Sequence, residues 1–350
     1  MRRSLAAIIV AISLLTVAHA APNDLLYARF ERFLEALRAQ AGIPGMVAIV
    51  VGESDIVWER TFGYQNQERS LGMLADTAFH LDGLTQVVTA TLVLRCADRG
   101  LIDLDDPIGN FESASAEPGS TIRHILSHTR PTLAGAPVYE YDPQRYDALQ
   151  KVVRDCTGDS YRESVAGLFG ELAMNDSVPG IDAPLVTPPD EGVPTLEASQ
   201  HYRSVLDRLT TSYTVQGRRA VASVHVGTTL TPSGGIVTTA RDLAKLDVAL
   251  KQGFLSPELL TAAWTVPPST PQAPLPHGLG WFVQVVEGEP IVWQYGASPV
   301  SSSFMMSLPN RRLTMILLAN SNGLVEPFVL TPGDVTASPF ARVFLGLVSP

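Results

Sequence analysis

Two histidines four residues apart, His124 and His128, are the first candidates for chemistry in this sequence. On a helix that spacing can present two imidazoles to a metal. No Glu follows His124 in a His-Glu-x-x-His pattern, and no third ligand is in view, so no metal or other cofactor is expected. A serine with a lysine one helical turn later would set a hydroxyl beside its base. The chain has only three lysines, Lys151, Lys245 and Lys251, and Ala148, Asp242 and Val248 stand three residues before them. Ser-x-x-Lys is therefore absent, and so is a Gly-x-Ser-x-Gly elbow. Asp103, Asp105 and Asp106 crowd one short stretch and read as caps of a solvated turn, not as a carboxylate pair.

The elements that would position such groups follow from periodicity. Asn23 can cap a helix carrying Leu26, Phe30, Phe33, Leu34 and Leu37, closed by Gly42 and Pro44. Met46 to Val51 reads as a buried strand, and Ile56-Val57-Trp58 starts a second one after the turn at 52–55. Residues 84–99 give an apolar helix stopped by Gly100, and residues 121–129 and 144–157 give two more. The stretch 178–195, rich in Pro, Gly and Asp, reads as a surface loop. Thr239 with Asp242 resembles a capping box opening a helix with Leu243, Leu246 and Leu250. Trp281–Val286, Ile291–Gln294, Ser302–Leu308 and Leu313–Leu318 read as strands. Strands at both ends and helices between them predict an α+β fold, with an antiparallel sheet built from both termini.

The 350 residues carry a net charge of −10, with no basic run, which argues against a nucleic-acid partner. Arg2 and Arg3, the apolar stretch Leu5–Val17 and Ala18-His19-Ala20 have the layout of a cleaved signal peptide over residues 1–20. A periplasmic or secreted protein is expected, with no membrane span after cleavage. Such a compartment permits a disulfide between Cys96 and Cys156. Their apolar, helix-like surroundings favour two separate buried thiols instead.

Several stretches, in order, resemble the β-lactamase-related family, which includes class C β-lactamases, D,D-peptidases and related esterases. They are Ile43-Pro44-Gly45-Met46, the run FHLDGLTQVVTATLVLRCADRGLIDLDDP from Phe79 to Pro107, and Thr121 to Thr129. Gly234 to Leu243, Gly278-Leu279-Gly280-Trp281 and Leu317-Leu318-Ala319-Asn320 continue the series. The resemblance implies an α/β lobe with an antiparallel sheet flanked by helices, from about 21–80 and 225–350. A mostly helical lobe would cover about 81–224, with the site in the cleft between the two.

The family's Ser-x-x-Lys falls on Gly83 and Gln86, which offer neither nucleophile nor general base. Its Tyr-x-Asn falls on Tyr141-Asp142-Pro143, where proline replaces the amide. Its Lys-Thr-Gly or His-x-Gly falls on Gln294-Tyr295-Gly296, where a neutral glutamine replaces the cation or imidazole. Thr85 and Ser127 are the nearby hydroxyls, but Thr85 belongs to the helix packing and Ser127 to a turn. The oxyanion hole implied by the family would use the backbone N–H groups of Gly83 and Ala297, which survive side-chain change. Loss of the nucleophile of a serine hydrolase costs about 10⁶ in rate, as in subtilisin, or roughly 8 kcal/mol. The expectation is a non-catalytic protein binding a ligand at Gly83, Tyr141, Gln294 and Ala297. That ligand would be a peptidoglycan-type peptide or a protein partner. The alternative is an esterase, β-lactamase or D,D-peptidase with displaced catalytic residues.

Overall fold

The computed structural model describes residues 22–111, 118–133, 135–187, 192–217, 219–226, 229–266 and 275–348. The signal-peptide reading of residues 1–20 lies outside them. No helix among the described residues is long and apolar enough to cross a membrane.

Helix α1 (Pro22–Gln40) leads into strand β1 (Gly45–Val51), β2 (Ile56–Asn66) and β3 (Leu71–Gly72). Asn23 thus lies inside the first turn of α1 and not at its cap. The C-terminal part supplies β4 (Phe282–Val286), β5 (Glu289–Ser298), β6 (Ser301–Leu308) and β7 (Leu313–Ala319). All seven join one sheet in the order β4-β5-β6-β7-β1-β2-β3. The two halves meet where β1 pairs antiparallel with β7, Met46 opposite Ala319 and Val51 opposite Thr314.

β1 is buried on both faces because its period-two alternation feeds two cores. Met46, Ala48 and Val50 pack with Phe30 and Leu34 of α1 and with Phe340 and Phe344 of α9 (Pro339–Val348). Val47, Ile49 and Val51 pack on the other face, with Leu243, Leu246 and Leu250 of α7 (Ala240–Lys251). Asn320, fully buried, ties the sheet centre together. It accepts from the Gly45 N–H at 2.8 Å and donates to the Tyr64 carbonyl at 3.1 Å and Thr210 Oγ1 at 3.0 Å.

Helix α2 (Thr85–Asp98) runs beneath this second core. Its sequence, TQVVTATLVL at the start, is rich in β-branched residues that cost a few tenths of a kcal/mol each in a helix. Burial overrides that cost: Val87, Val88 and Val93 are fully buried, each worth roughly 1.5 kcal/mol or more. α3 (Ile122–Leu126) starts with Thr121 and His124 as a capping box. The expected helix 144–157 is split, since Pro143 opens a 3-10 stretch to Ala148 before α4 (Leu149–Thr157). α5 (Tyr161–Glu171), α6 (Leu196–Leu206) and α8 (Pro257–Ala263) complete the helices. Thr239 caps α7 as expected, accepting from the Asp242 N–H at 3.2 Å. The Asp242 carboxylate turns away to the Asp176 N–H and Ser177.

Two expectations need correction. The stretch 178–195 is not wholly a surface loop. Val178 is buried and bridges Val237, and Ala183 is buried in a 3-10 turn; residues 188–191 lie outside the description. Cys96 and Cys156 are not separate thiols but a disulfide joining α2 to α4, with Cα atoms 6.2 Å apart. Packing of the two helices brings together cysteines 60 residues apart, a proximity that composition cannot reveal.

Closing a loop of 60 residues restricts the unfolded chain by roughly 4 kcal/mol on the chain-entropy model. A Cys96→Ser/Cys156→Ser variant is expected to show a lower denaturant midpoint and a lower Tm in calorimetry. Unchanged values would refute this role.

Candidate functional site

The cleft is built where β5 meets the turn that starts α2. That turn, Asp82–Leu84, is a short 3-10 piece running directly into α2. Its partner on β5 is Gly296. A Cβ there would lie 2.2 Å from the Leu81 carbonyl oxygen and 2.8 Å from the Leu84 nitrogen, so only glycine permits the approach. Ser303 on β6 completes the join by donating to the same Leu81 carbonyl at 2.8 Å.

A cavity of about 660 Å³ opens beside this join. Gly83, Tyr141, Pro143 and Ala297 all line it, so residues far apart in sequence come together at one place. Asp82, His225, Thr231, Ser233 and Tyr295 also line it. A second cavity of about 430 Å³ shares Tyr295, Ala297 and Ser298 with the first and continues to Phe328, Val329 and Leu330.

Gln86 and Gln294 depart from the expectation, because neither lines the cleft. Both are fully buried beneath it. Gln86 Oε1 accepts from His128 Nε2 at 3.0 Å, and its amide nitrogen has no partner. Gln294 is tied down at both ends. Its Oε1 accepts from the Tyr295 N–H at 2.9 Å, and its Nε2 donates to the Gly280 carbonyl at 3.3 Å. The same Nε2 lies 3.3 Å from His277 Nε2, while His277 Nδ1 donates to the Gly278 carbonyl at 2.8 Å. That pattern fixes the neutral tautomer of His277. Gln294 is thus a packing residue and not a ligand contact. Strand alternation explains it: Tyr295 and Ala297 face the cleft, so the side chain at 294 faces the other way.

The four-residue spacing predicts His128 beside His124 on one helix. His128 lies beyond the end of α3, at a left-handed φ of 49°, with its ring 4.7 Å from that of His277. His124 instead caps its own helix by accepting from the Thr121 N–H at 3.1 Å. Among the described residues no cluster of His, Cys, Asp and Glu could hold a metal. Thr85 is buried and Ser127 donates to the Arg123 carbonyl at 2.8 Å, so both are packing residues. Asp103 and Asp106 make turn hydrogen bonds, and Asp105 pairs with Arg123 at 2.8 Å.

Burial dominates the electrostatics. Desolvation, with the Tyr295 phenol nearby, pushes the Tyr141 hydroxyl well above its ordinary value, so it is a donor and not a base at neutral pH. Desolvation, followed by the charge of His277, holds His128 well below its ordinary value. His277 is lowered to about 4 by burial. His80 is also lowered to about 4, by burial first and then by His225.

Sequence reasoning missed the wall formed by Asp82 and His225. His225 Nε2 donates to Asp82 Oδ1 at 2.8 Å, and Ser301 Oγ donates to Oδ2 at 2.5 Å. The His225 ring stacks on His80 with centroids 3.7 Å apart. Asp82 was detectable as the one charge in the run Phe79-His80-Leu81-Asp82-Gly83-Leu84. His225 sits between exposed valines in a segment without periodic pattern, and nothing marked it.

The family model described as Beta-lactamase matches residues 30–334. Penicillin-binding protein 4 of Amycolatopsis lactamdurans is 22% identical, with 84% of this chain and 85% of that protein covered. Esterase EstB of Burkholderia gladioli is 32% identical over 111 residues, covering 30% of this chain and 28% of that protein. The class C beta lactamase structure from Rhodobacter sphaeroides superposes with a TM-score of 0.69 at 17% identity, covering 91% of this chain and 98% of that one. At that identity the structural likeness is one of fold.

Two outcomes are expected. Gly296→Ala should cost roughly 1–3 kcal/mol by overpacking, because backbone atoms must move. Gly83→Ala, whose Cβ would lie 3.2 Å from the Tyr295 carbonyl oxygen, should cost less. Urea denaturation of both variants would show it, and equal losses would refute it. Buried neutral His80, His128 and His277 hold fewer protons folded than unfolded. Their contribution is complete above about pH 6.5 and is lost as pH falls towards about 4, at up to about 1.4 kcal/mol per pH unit for each. Denaturant midpoints should therefore drop between about pH 7 and about pH 5. A flat profile would contradict this.

Proposed function

Because the chain belongs to the Beta-lactamase family, we propose that it is an exported, non-catalytic member whose cleft binds a cell-wall-type peptide. One observation carries the reading: Gly83 stands in the cleft where the family's nucleophile is expected, and the residue one turn on is buried Gln86, bonded to His128. No side-chain nucleophile projects from position 83. No lysine is among the described residues that line the cleft to act as a base. Lys151 pairs with Asp155, Lys245 with Asp242 and Lys251 with Asp247. The Tyr141 hydroxyl stays protonated, so it orients a ligand and does not abstract a proton. Backbone N–H groups of Gly83 and Ala297 remain as donors for a carbonyl oxygen. Export accords with the charge pattern of residues 1–20 and with the Cys96–Cys156 disulfide.

A second reading, a hydrolase with displaced groups, draws on one observation: His225 paired with Asp82 in the same cleft. That pair has the make-up of a general base and its orienting carboxylate.

One set of measurements separates the two. The protein is incubated with a fluorescent penicillin, a chromogenic cephalosporin and p-nitrophenyl butyrate, then weighed intact. The expected result is no acyl adduct and no turnover, for the wild type and for Gly83→Ser. An adduct, or ester hydrolysis lost in Tyr141→Phe or His225→Gln, would overturn the binding reading in favour of the second.

A further inference from the structure

The charge of the cleft walls narrows the ligand further, and this step rests on the binding reading above. The two adjoining cavities together contain no lysine or arginine among their described lining residues. They contain two carboxylates, Asp82 and Glu326. A third, Asp147, lies just behind the wall and accepts from the Ser233 N–H at 3.1 Å. The basic side chain present, His225, is 7% exposed and already commits Nε2 to Asp82. Gln294, at the position where the family resemblance expects a cation or imidazole, points into the core.

Asp82 immediately precedes Gly83. A ligand whose carbonyl reaches the Gly83 and Ala297 backbone donors therefore brings its neighbouring groups close to the Asp82 carboxylate. A free carboxylate there would face the Asp82 carboxylate, whose oxygens are held by His225 and Ser301, with no lysine or arginine among the described lining residues to meet it. An amide or ester in the same place carries no such penalty. It can instead accept from the Tyr295 hydroxyl, or from whichever of the Thr231 and Ser233 hydroxyls, bonded to each other at 2.9 Å, keeps its proton free.

We propose that this cleft selects an uncharged ligand, a carbonyl flanked by amide or ester linkages with no free carboxylate beside it. Among cell-wall-type peptides this means an internal or amidated segment and not a free C-terminus. Specificity arises here by rejecting the acid as much as by holding the amide.

The test uses a pair of probes differing in one charge, N-acetyl-D-alanyl-D-alaninamide and N-acetyl-D-alanyl-D-alanine, titrated calorimetrically into the exported chain at neutral pH. The amide is expected to bind at least about tenfold more tightly than the acid. Asp82→Asn should narrow the gap; asparagine tolerates the left-handed backbone at this position, φ 49°. Gln144→Arg, at an exposed cleft residue, should shift preference towards the acid without touching Asp82. Equal or tighter binding of the acid by the wild type overturns the charge selection while leaving the binding reading intact. Binding of neither probe overturns the cell-wall-peptide reading itself.

Discussion

The contact between Gly296 and the turn that starts α2 sets the geometry of the molecule. It is a backbone-to-backbone approach, closer than any side chain allows. On one side stands β5, fixed in register by β6 with Gly296 opposite Ser303. On the other stands α2, held by burial along nearly its whole length. Two rigid bodies meeting at a glycine leave little freedom to slide. The cleft, its floor and the placement of Gly83 beside Ala297 follow from that one join. The disulfide from α2 to α4 then couples the helix that follows Gly83 to the layer that follows Tyr141 and Pro143.

Beneath the cleft four buried side chains form a neutral chain, with the buried Arg145 guanidinium near its His128 end. Gln86 meets His128, His128 packs edge-on against His277, and His277 meets Gln294. Each imidazole is kept uncharged by burial. A lysine at position 86 would place a fully desolvated cation beside His128, at a cost of several kcal/mol without a new partner. Restoring an activated serine is therefore not a matter of one side chain. The surroundings of Gln294 are fitted to an amide, which satisfies a donor and an acceptor at once, whereas Gln86 uses only its acceptor, on His128.

Much of this organisation was legible in the sequence, for identifiable reasons. β1, β7 and α2 are near-continuous apolar runs, Gly100 ends α2 and Thr239 opens α7, so the sheet built from both termini was legible in the sequence. The ordered motifs brought Gly83, Tyr141, Pro143 and Ala297 to one cleft. The failures share a cause, dependence on distance in space. Cys96 and Cys156 meet through helix packing. His128 leaves its helix because the backbone turns left-handed there, which separates it from His124. The motif places Gln294 at the ligand, but strand alternation from Tyr295 turns its side chain inward. His225 reaches Asp82 across 143 residues, a pairing that no local pattern encodes.

The composition of the cleft also bears on what binding there can achieve. Its carbonyl-directed groups are backbone N–H donors and hydroxyls, all of which serve a ground-state carbonyl. An enzyme converts binding into rate only through interactions that strengthen as the bond changes. That strengthening needs charge to develop on the ligand oxygen, and charge develops only under attack by a nucleophile. Glycine at 83 offers no side-chain atom to attack with, so on the proposed binding reading oxyanion-type donors would hold a ligand without driving a reaction. On the proposed reading a preorganised oxyanion hole would act as a recognition element, and the carboxylate at Asp82 would decide which carbonyl compounds remain.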